Sequence, residues 1–275
     1  MNPELLEVDL GPGVRAGFTT RAGGVSGGEH AALNLSIAVG DEPQAVRHNR
    51  LAVARLLSAP LAIAEQVHGC DVAEVADPTW EDGRGPDVAE VAHPSWPDRR
   101  GAGSPTQDPL AYVARADGLV TTGHVTLAVL VADCVPVLLA DPVARVVATA
   151  HAGRAGVVAG VVGQAVRAMT DRGARPERIR AALGPAICGR CYEVGADLRA
   201  EVAGRLPVTH SVTSWGTPAL DLPAAVRFQL AAAGVRTVDT PAWCTLEEDR
   251  FFSHRGWRRT GQRHGRQAGL VVLES

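Results

Sequence analysis

The sequence predicts a layered domain of the α/β or α+β class, and two patterns carry that expectation. Short apolar runs separated by turn signals crowd between residues 118 and 150. Longer helical patterns flank them on both sides, and no Pro/Ser-rich linker cuts the chain. One domain over residues 1–275 is therefore expected, and 275 residues, 46% of them hydrophobic, suffice for its core.

The elements follow in order. Residues 12–40 are rich in glycine and read as a short strand around Gly17 and Phe18 running into a loop. Their glycine spacing is not that of a dinucleotide fingerprint. A helix is predicted over 42–57, because Val46, Arg50, Val53 and Leu57 fall near one face. An apolar run at 61–67 follows. Strands are predicted at 118–122, 126–131, 135–139 and 146–149, then a helix at 155–169 that ends near Gly173. A strand at 179–183, a helix at 222–233 stopped by Gly234, and a strand at 235–238 complete the pattern.

Residues 71–80 (DVAEVADPTW) recur sixteen positions later as 87–96 (DVAEVAHPSW). Two copies are too few for a solenoid. The pair reads as a local duplication in which one copy supplies a core strand. The other copy, with the residues up to about 107, forms a surface insertion.

Composition removes several chemistries. All 27 basic residues are arginine, so no lysine is available for a Schiff base or a P-loop. A phosphate here must be held by arginine forks, backbone amides or helix N-termini. The net charge of −3 argues against a nucleic-acid track. The longest apolar runs are far too short to span a bilayer. Five cysteines, an odd number, with no signal-peptide pattern ahead of them, point to a reducing cytoplasm and to thiols that are free or metal-bound.

Three groups stand where apolar runs meet turns. His68 closes the run at 61–67, Cys134 lies between two strands, and His151 ends a third strand before a helix. Loops at strand ends place such side chains at the rim of a sheet. Two imidazoles and a thiolate are good zinc ligands, and three of them leave a position open, as catalytic sites do. A metal so held lowers the pKa of water that it binds. Spacing alone does not decide between this and a small buried cysteine beside hydrogen-bonded loop histidines, nor against a metal-free Cys134–His151 nucleophile. Cys188-Gly-Arg-Cys191 is formally a CxxC, but no second CxxC partners it.

The ordered motifs reach further. GFTTRAGGVS at 17–26, NLS at 34–36, NR at 49–50, QVHG at 66–69, ADGLVT at 116–121, ADC at 132–134, HAG at 151–153, GPAI at 184–187, YEV at 192–194, CT at 244–245 and FFSHR at 251–255 together resemble the YfiH family. Its members carry the older label of multicopper polyphenol oxidases, or laccase-domain proteins. The resemblance runs from about Gly17 to Leu273, with residues 71–116 longer than expected. It implies a single-domain sandwich of stacked β-sheets flanked by helices, with metal ligands at His68, Cys134 and His151. It also implies a zinc-dependent purine nucleoside phosphorylase for adenosine, inosine, guanosine and methylthioadenosine, with adenosine deamination alongside.

Within these motifs Arg21, Asn34, Arg50, Gln66 and Arg255 are the expected substrate or phosphate contacts, and Asp133 the expected partner of a ligand histidine. Where the family often has Trp-Arg-Gly after HAG, this chain has Arg154-Ala155-Gly156, so the arginine sits one place early. A monomer acting on small molecules is expected, with neither nucleic acid nor membrane as partner. The competing readings are a Cys–His hydrolase or peptidoglycan-precursor editing enzyme, a copper-dependent phenol oxidase, and a non-enzymatic binding module. The copper reading is the poorer, because multicopper oxidases need paired HxH motifs and none occurs among the nine histidines.

Overall fold

The computed structural model describes residues 2–76, 109–238 and 241–275. In chain order, β1 (Leu5–Glu7) and β2 (Val14–Thr19) form an antiparallel pair, and α1 (Pro43–Leu57) follows the glycine-rich loop. Next come β3 (Leu61–Ile63), β4 (Val72–Glu74), β5 (Gly118–Thr121), β6 (Thr126–Val131), β7 (Val135–Asp141) and β8 (Val146–Ala152). The helices α2 (Arg154–Ala159) and α3 (Val161–Thr170), then β9 (Arg180–Leu183) and α4 (Ala196–Arg205), lead to the small pair β10 (His210–Val212) and β11 (Pro218–Leu220). The chain closes with α5 (Leu222–Ala232), β12 (Arg236–Thr237), α6 (His254–Thr260) and β13 (Gln267–Leu273).

Two large sheets are stacked. One runs β1-β2-β13-β6-β3, the other β12-β9-β7-β8-β5-β4. Strand alternation explains why their sequences read as continuous apolar runs. Leu138, Ala140 and Val147 of the second sheet face Val129, Val131 and Val271 of the first across the central core. Val137, Leu139, Val146 and Ala148 point the other way, against Val157, Val162, Val166 and Met169 of α2 and α3 and Val226 and Leu230 of α5. On the outer face of the first sheet, Ala128, Leu130 and Leu270 meet Val53 and Leu57 of α1. Both faces of each sheet are covered, so strands such as Thr126–Val131 are buried at every position. The molecule is thus a helix–sheet–sheet–helix sandwich, the layered class expected of the sequence.

Several boundaries differ from the sequence pattern. The helix expected over 155–169 is broken at Gly160, whose φ of +86° ends α2 and opens α3. Only glycine adopts that conformation without cost. The strand expected at 235–238 pairs over Arg236 and Thr237 alone. In the repeat, the first copy supplies β4, parallel to β5 at the sheet edge. The second copy, and the insertion up to residue 107, lie outside the described residues. Among the described residues, no helix is long and apolar enough to cross a membrane.

One buried carboxylate anchors the far end of the second sheet. Asp141 accepts hydrogen bonds from the amides of Val143, Ala144 and Arg175 at 3.0, 3.0 and 2.9 Å, and from Arg178 Nε at 3.0 Å. Burial alone would raise its pKa, but these amides and the Arg178 guanidinium outweigh burial and hold it below the usual carboxylate range. A depressed folded pKa contributes stability above the unfolded value, which is lost as pH falls through the folded value. Asp141→Ala should cost about 3 kcal/mol at neutral pH, with the difference from the parent shrinking below about pH 4. Denaturant titrations at pH 7 and pH 3 check this; an equal difference at both would contradict it.

Candidate functional site

The three residues singled out at strand ends come together. The metal-capable atoms of His68, Cys134 and His151 lie within 4.8 Å of one another. The two imidazole rings meet edge to face at 4.7 Å between centroids, and His68 Nε2 is 3.9 Å from Cys134 Sγ.

The backbone explains the convergence. Gln66 clamps β6 with both ends of its amide: Nε2 donates to the Leu130 carbonyl and Oε1 accepts from the Leu130 amide, each at 2.8 Å. This carries the β3–β6 pairing past the end of β3 and fixes where His68 emerges. His68 itself turns with φ of +62°. Its loop is gathered by Asp117, just before β5. That carboxylate accepts from the amides of Val67, His68 and Gly69 at 3.2, 2.9 and 2.6 Å.

Asp117 also sits 2.8 Å from Nδ1 of His151, and its carbonyl accepts from the His151 amide at 2.7 Å. One buried side chain therefore sets both histidines. With Nδ1 of His151 committed to Asp117, Nε2 is left for Cys134 and His68. Gly153 closes the cluster: a Cβ there would lie 2.9 Å from His68 Cδ2 and 3.0 Å from Cys134 Sγ.

Electrostatics follow from this packing. Burial pushes the Cys134 thiol up, but the neighbouring His151, and then His68, pull it down to about 6. Burial pushes His151 down, but Cys134 and Asp117 raise it to about 9. Asp117 stays below its ordinary value because bonds from His151, Gly69 and Val67 outweigh burial. The cluster thus favours a thiolate. An anionic sulfur beside two imidazoles, on a floor that a methyl group would clash with, fits a metal ion that takes nitrogen and sulfur ligands.

The cluster forms the floor of a cleft of about 650 Å³. Arg154, Arg255 and Arg266 enter its wall, with Tyr192 beside Arg154 and Arg255. Arg255 stacks on the Tyr192 ring at 5.4 Å and donates to the Glu193 carbonyl at 2.8 Å. The remaining wall includes Val39, Ala64, Leu130 and Tyr112.

The other sequence candidates divide. Gln66 and Arg255 line the cleft. Arg21, Asn34 and Arg50 do not; they hold loops elsewhere in the molecule. Arg21 Nε donates to the Ala31 carbonyl and its guanidinium lies over Phe252. Asn34 bonds Ser36 and Asp41, and its Oδ1 accepts from the Arg266 amide at 3.0 Å. Buried Arg50 donates to the carbonyls of Leu35 and Pro109.

Asp133 also differs from expectation. Its φ of +87° turns it away from the histidines. Its carboxylate accepts instead from Thr245 Oγ1, Ser253 Oγ and the Arg255 amide at 2.6, 2.8 and 2.6 Å, so it seats the start of α6. The histidine partner is Asp117, which stands inside the ADGLVT motif. Arg266 carried no sequence signal.

A family model described as multi-copper polyphenol oxidoreductase laccase matches residues 15–274. The chain belongs to that family. It is the YfiH family of the sequence resemblance: the crystal structure of a Bacillus licheniformis YfiH protein is 31% identical, covers 95% of this chain and 93% of its own, and superposes with a TM-score of 0.75. The YfiH-family structure of YlmD from Geobacillus stearothermophilus is 33% identical over 96% of this chain and 93% of its own, also with a TM-score of 0.75. Among YfiH-family relatives, a Streptomyces griseus protein named purine nucleoside phosphorylase is 49% identical over 94% of this chain and 93% of its own. A Streptomyces coelicolor protein of the same name is 47% identical over 95% and 96%.

Proposed function

We propose that this YfiH-family chain is a zinc-dependent purine nucleoside phosphorylase acting on adenosine, inosine, guanosine and methylthioadenosine. The observation that carries the reading is the His68–Cys134–His151 cluster on the floor of a cleft walled by arginines. The names of the relatives point the same way.

In phosphorolysis a phosphate oxygen bonds to the anomeric carbon as the C–N bond to the base breaks, and the base leaves with a proton. The products are free purine and ribose 1-phosphate, or 5-methylthioribose 1-phosphate when methylthioadenosine is the substrate. The chain must hold a phosphate against the sugar, seat the base, and keep water out.

Arg154, Arg255 and Arg266 provide the anion seat, replacing the Arg21 and Arg50 expected of the sequence. Arg255 is held in place by Tyr192 and Glu193, so little freedom is lost on binding. The apolar wall of Val39, Leu130 and Tyr112 takes the base. His68, Cys134 and His151 would hold the zinc, which when bound supplies a Lewis acid at the cleft floor. The same site would accept adenosine for deamination, with release of ammonia as the readout.

Incubation with inosine or adenosine, with and without phosphate, tests the reading. Phosphate-dependent release of base is expected, and its absence with every purine nucleoside would reject the reading. Elemental analysis decides zinc against copper. Arg154→Met and Arg255→Met should each raise the phosphate KM on the order of 10-fold or more, and move the nucleoside KM less. An unchanged phosphate KM in both variants would place the anion elsewhere.

A second reading has its own observation. A thiolate-favouring Cys134 beside His151, itself held by Asp117, is also the arrangement of a cysteine hydrolase. Metal-depleted protein separates the two. Amide cleavage by the depleted protein, blocked by alkylation of Cys134, would favour the hydrolase.

A further inference from the structure

The CxxC at Cys188 and Cys191 lacks a partner only while partners are sought among cysteines. In the fold it faces a second pair with the same spacing, Cys244-Thr245-Leu246-Glu247. The Sγ atoms of Cys188, Cys191 and Cys244 and a carboxylate oxygen of Glu247 lie within 4.8 Å of one another. Cys191 Sγ is 3.4 Å from Glu247 Oε1.

The two segments are built alike. The amides of Cys191 and Tyr192 both donate to the Cys188 carbonyl, each at 2.9 Å. The amides of Glu247 and Glu248 both donate to the Cys244 carbonyl, at 3.2 and 3.0 Å. Each turn brings its first and fourth side chains to one side. A parallel bridge between Ala186 and Cys244 sets the segments against each other. The result is four donors from two tight turns.

We propose that Cys188, Cys191, Cys244 and Glu247 form a second metal site, a structural one, that binds zinc(II). Three soft sulfurs and one carboxylate complete a tetrahedral set, whereas the His68–Cys134–His151 group offers three donors and an open side. A disulfide switch at the CxxC would account for two of these side chains, not four. Cys191 and Cys244 are 3% and 2% exposed and pack with Ile187, Cys188 is half-buried and Glu247 is exposed, so the sulfurs lie inward and the carboxylate reaches them from the solvent side. On binding, the three thiols give up their protons to solvent and no electron moves.

The site has a structural purpose. Its first segment carries Ile187 and Tyr192 into the cleft wall, and its second leads to Thr245 and Ser253, which hold Asp133. Zinc here would pin together the two segments that support Arg255. The proposal does not depend on which reaction the cleft performs.

The test uses full-length protein purified without chelator. A Cys134→Ala/His151→Ala variant, which lacks the cleft cluster, should retain about one zinc per chain, against about two in the parent. Loaded with cobalt(II), it should show the intense near-ultraviolet charge-transfer band of several cobalt–thiolate bonds. Adding Cys188→Ser and Cys191→Ser should abolish both signals. If that last variant does not fold, the cobalt spectrum of the first still decides. The proposal is overturned if the folded Cys134→Ala/His151→Ala variant binds neither zinc nor cobalt(II). It is equally overturned by a Cys188–Cys191 disulfide in the freshly purified protein.

Discussion

Asp117→Ala should weaken zinc binding and nucleoside cleavage together, each on the order of 10- to 100-fold. The carboxylate receives three amides of the His68 loop and Nδ1 of His151, so its loss frees one histidine loop and one imidazole at once. Those amides lie in a half-buried loop and would have to find water or move, which adds a stability loss of about 2 kcal/mol. Asp117→Asn separates the effects. It keeps an acceptor for the loop but adds an NH2 group that cannot accept from His151. The asparagine variant should therefore recover most of the stability and little of the zinc affinity. Competition with a chromophoric chelator reads the affinity, and thermal denaturation reads the fold. Wild-type zinc affinity in Asp117→Ala would show that the histidines are set by something else.

The second large effect is at Cys134. Cys134→Ala should lower phosphorolysis on the order of 10³-fold, equivalent to about 4 kcal/mol in the barrier, with loss of the cleft metal. The alanine variant alone does not separate a ligand from a nucleophile, since both roles lose the sulfur. Cys134→Asp does. It returns an anionic ligand with no thiol, and zinc together with measurable phosphorolysis should return. An aspartate variant that regains zinc but stays as inactive as the alanine variant would favour the sulfur as nucleophile.

How far the sequence revealed this arrangement depends on the range of each interaction. The β6–β7–β8 run was legible because both faces of each sheet are covered, which makes whole strands apolar. The α2–α3 break was not, since an Ala/Val-rich pattern passes through Gly160 without a change of period, and glycine is tolerated inside helices as well as at their ends. His68, Cys134 and His151 stood out by residue type at strand ends. Asp117 did not, because its role exists only when amides of residues 67–69 and an imidazole at 151 fold around it.

Asp133 looked the better partner through its place next to Cys134. A positive φ, invisible in sequence, sends its carboxylate to α6 instead. The same limit explains the arginines. Arg21 and Arg50 sit in prominent motifs, yet their guanidinium groups cap carbonyls of neighbouring loops. Arg154 and Arg266 face the cleft because of where α2 starts and where the Asn34 side chain holds the Arg266 backbone. Glu247 escaped notice because it is a carboxylate in a group of four whose other three members are cysteines.

The proposed role of the cleft cluster is phosphate-dependent cleavage of purine nucleosides. It is tested most directly by following free hypoxanthine from inosine with purified protein of known zinc content, at graded phosphate concentrations. Release that rises to saturation with phosphate, yields ribose 1-phosphate mole for mole, and disappears in Cys134→Ala is the expected result. Release indifferent to phosphate, or undiminished in Cys134→Ala, would contradict it.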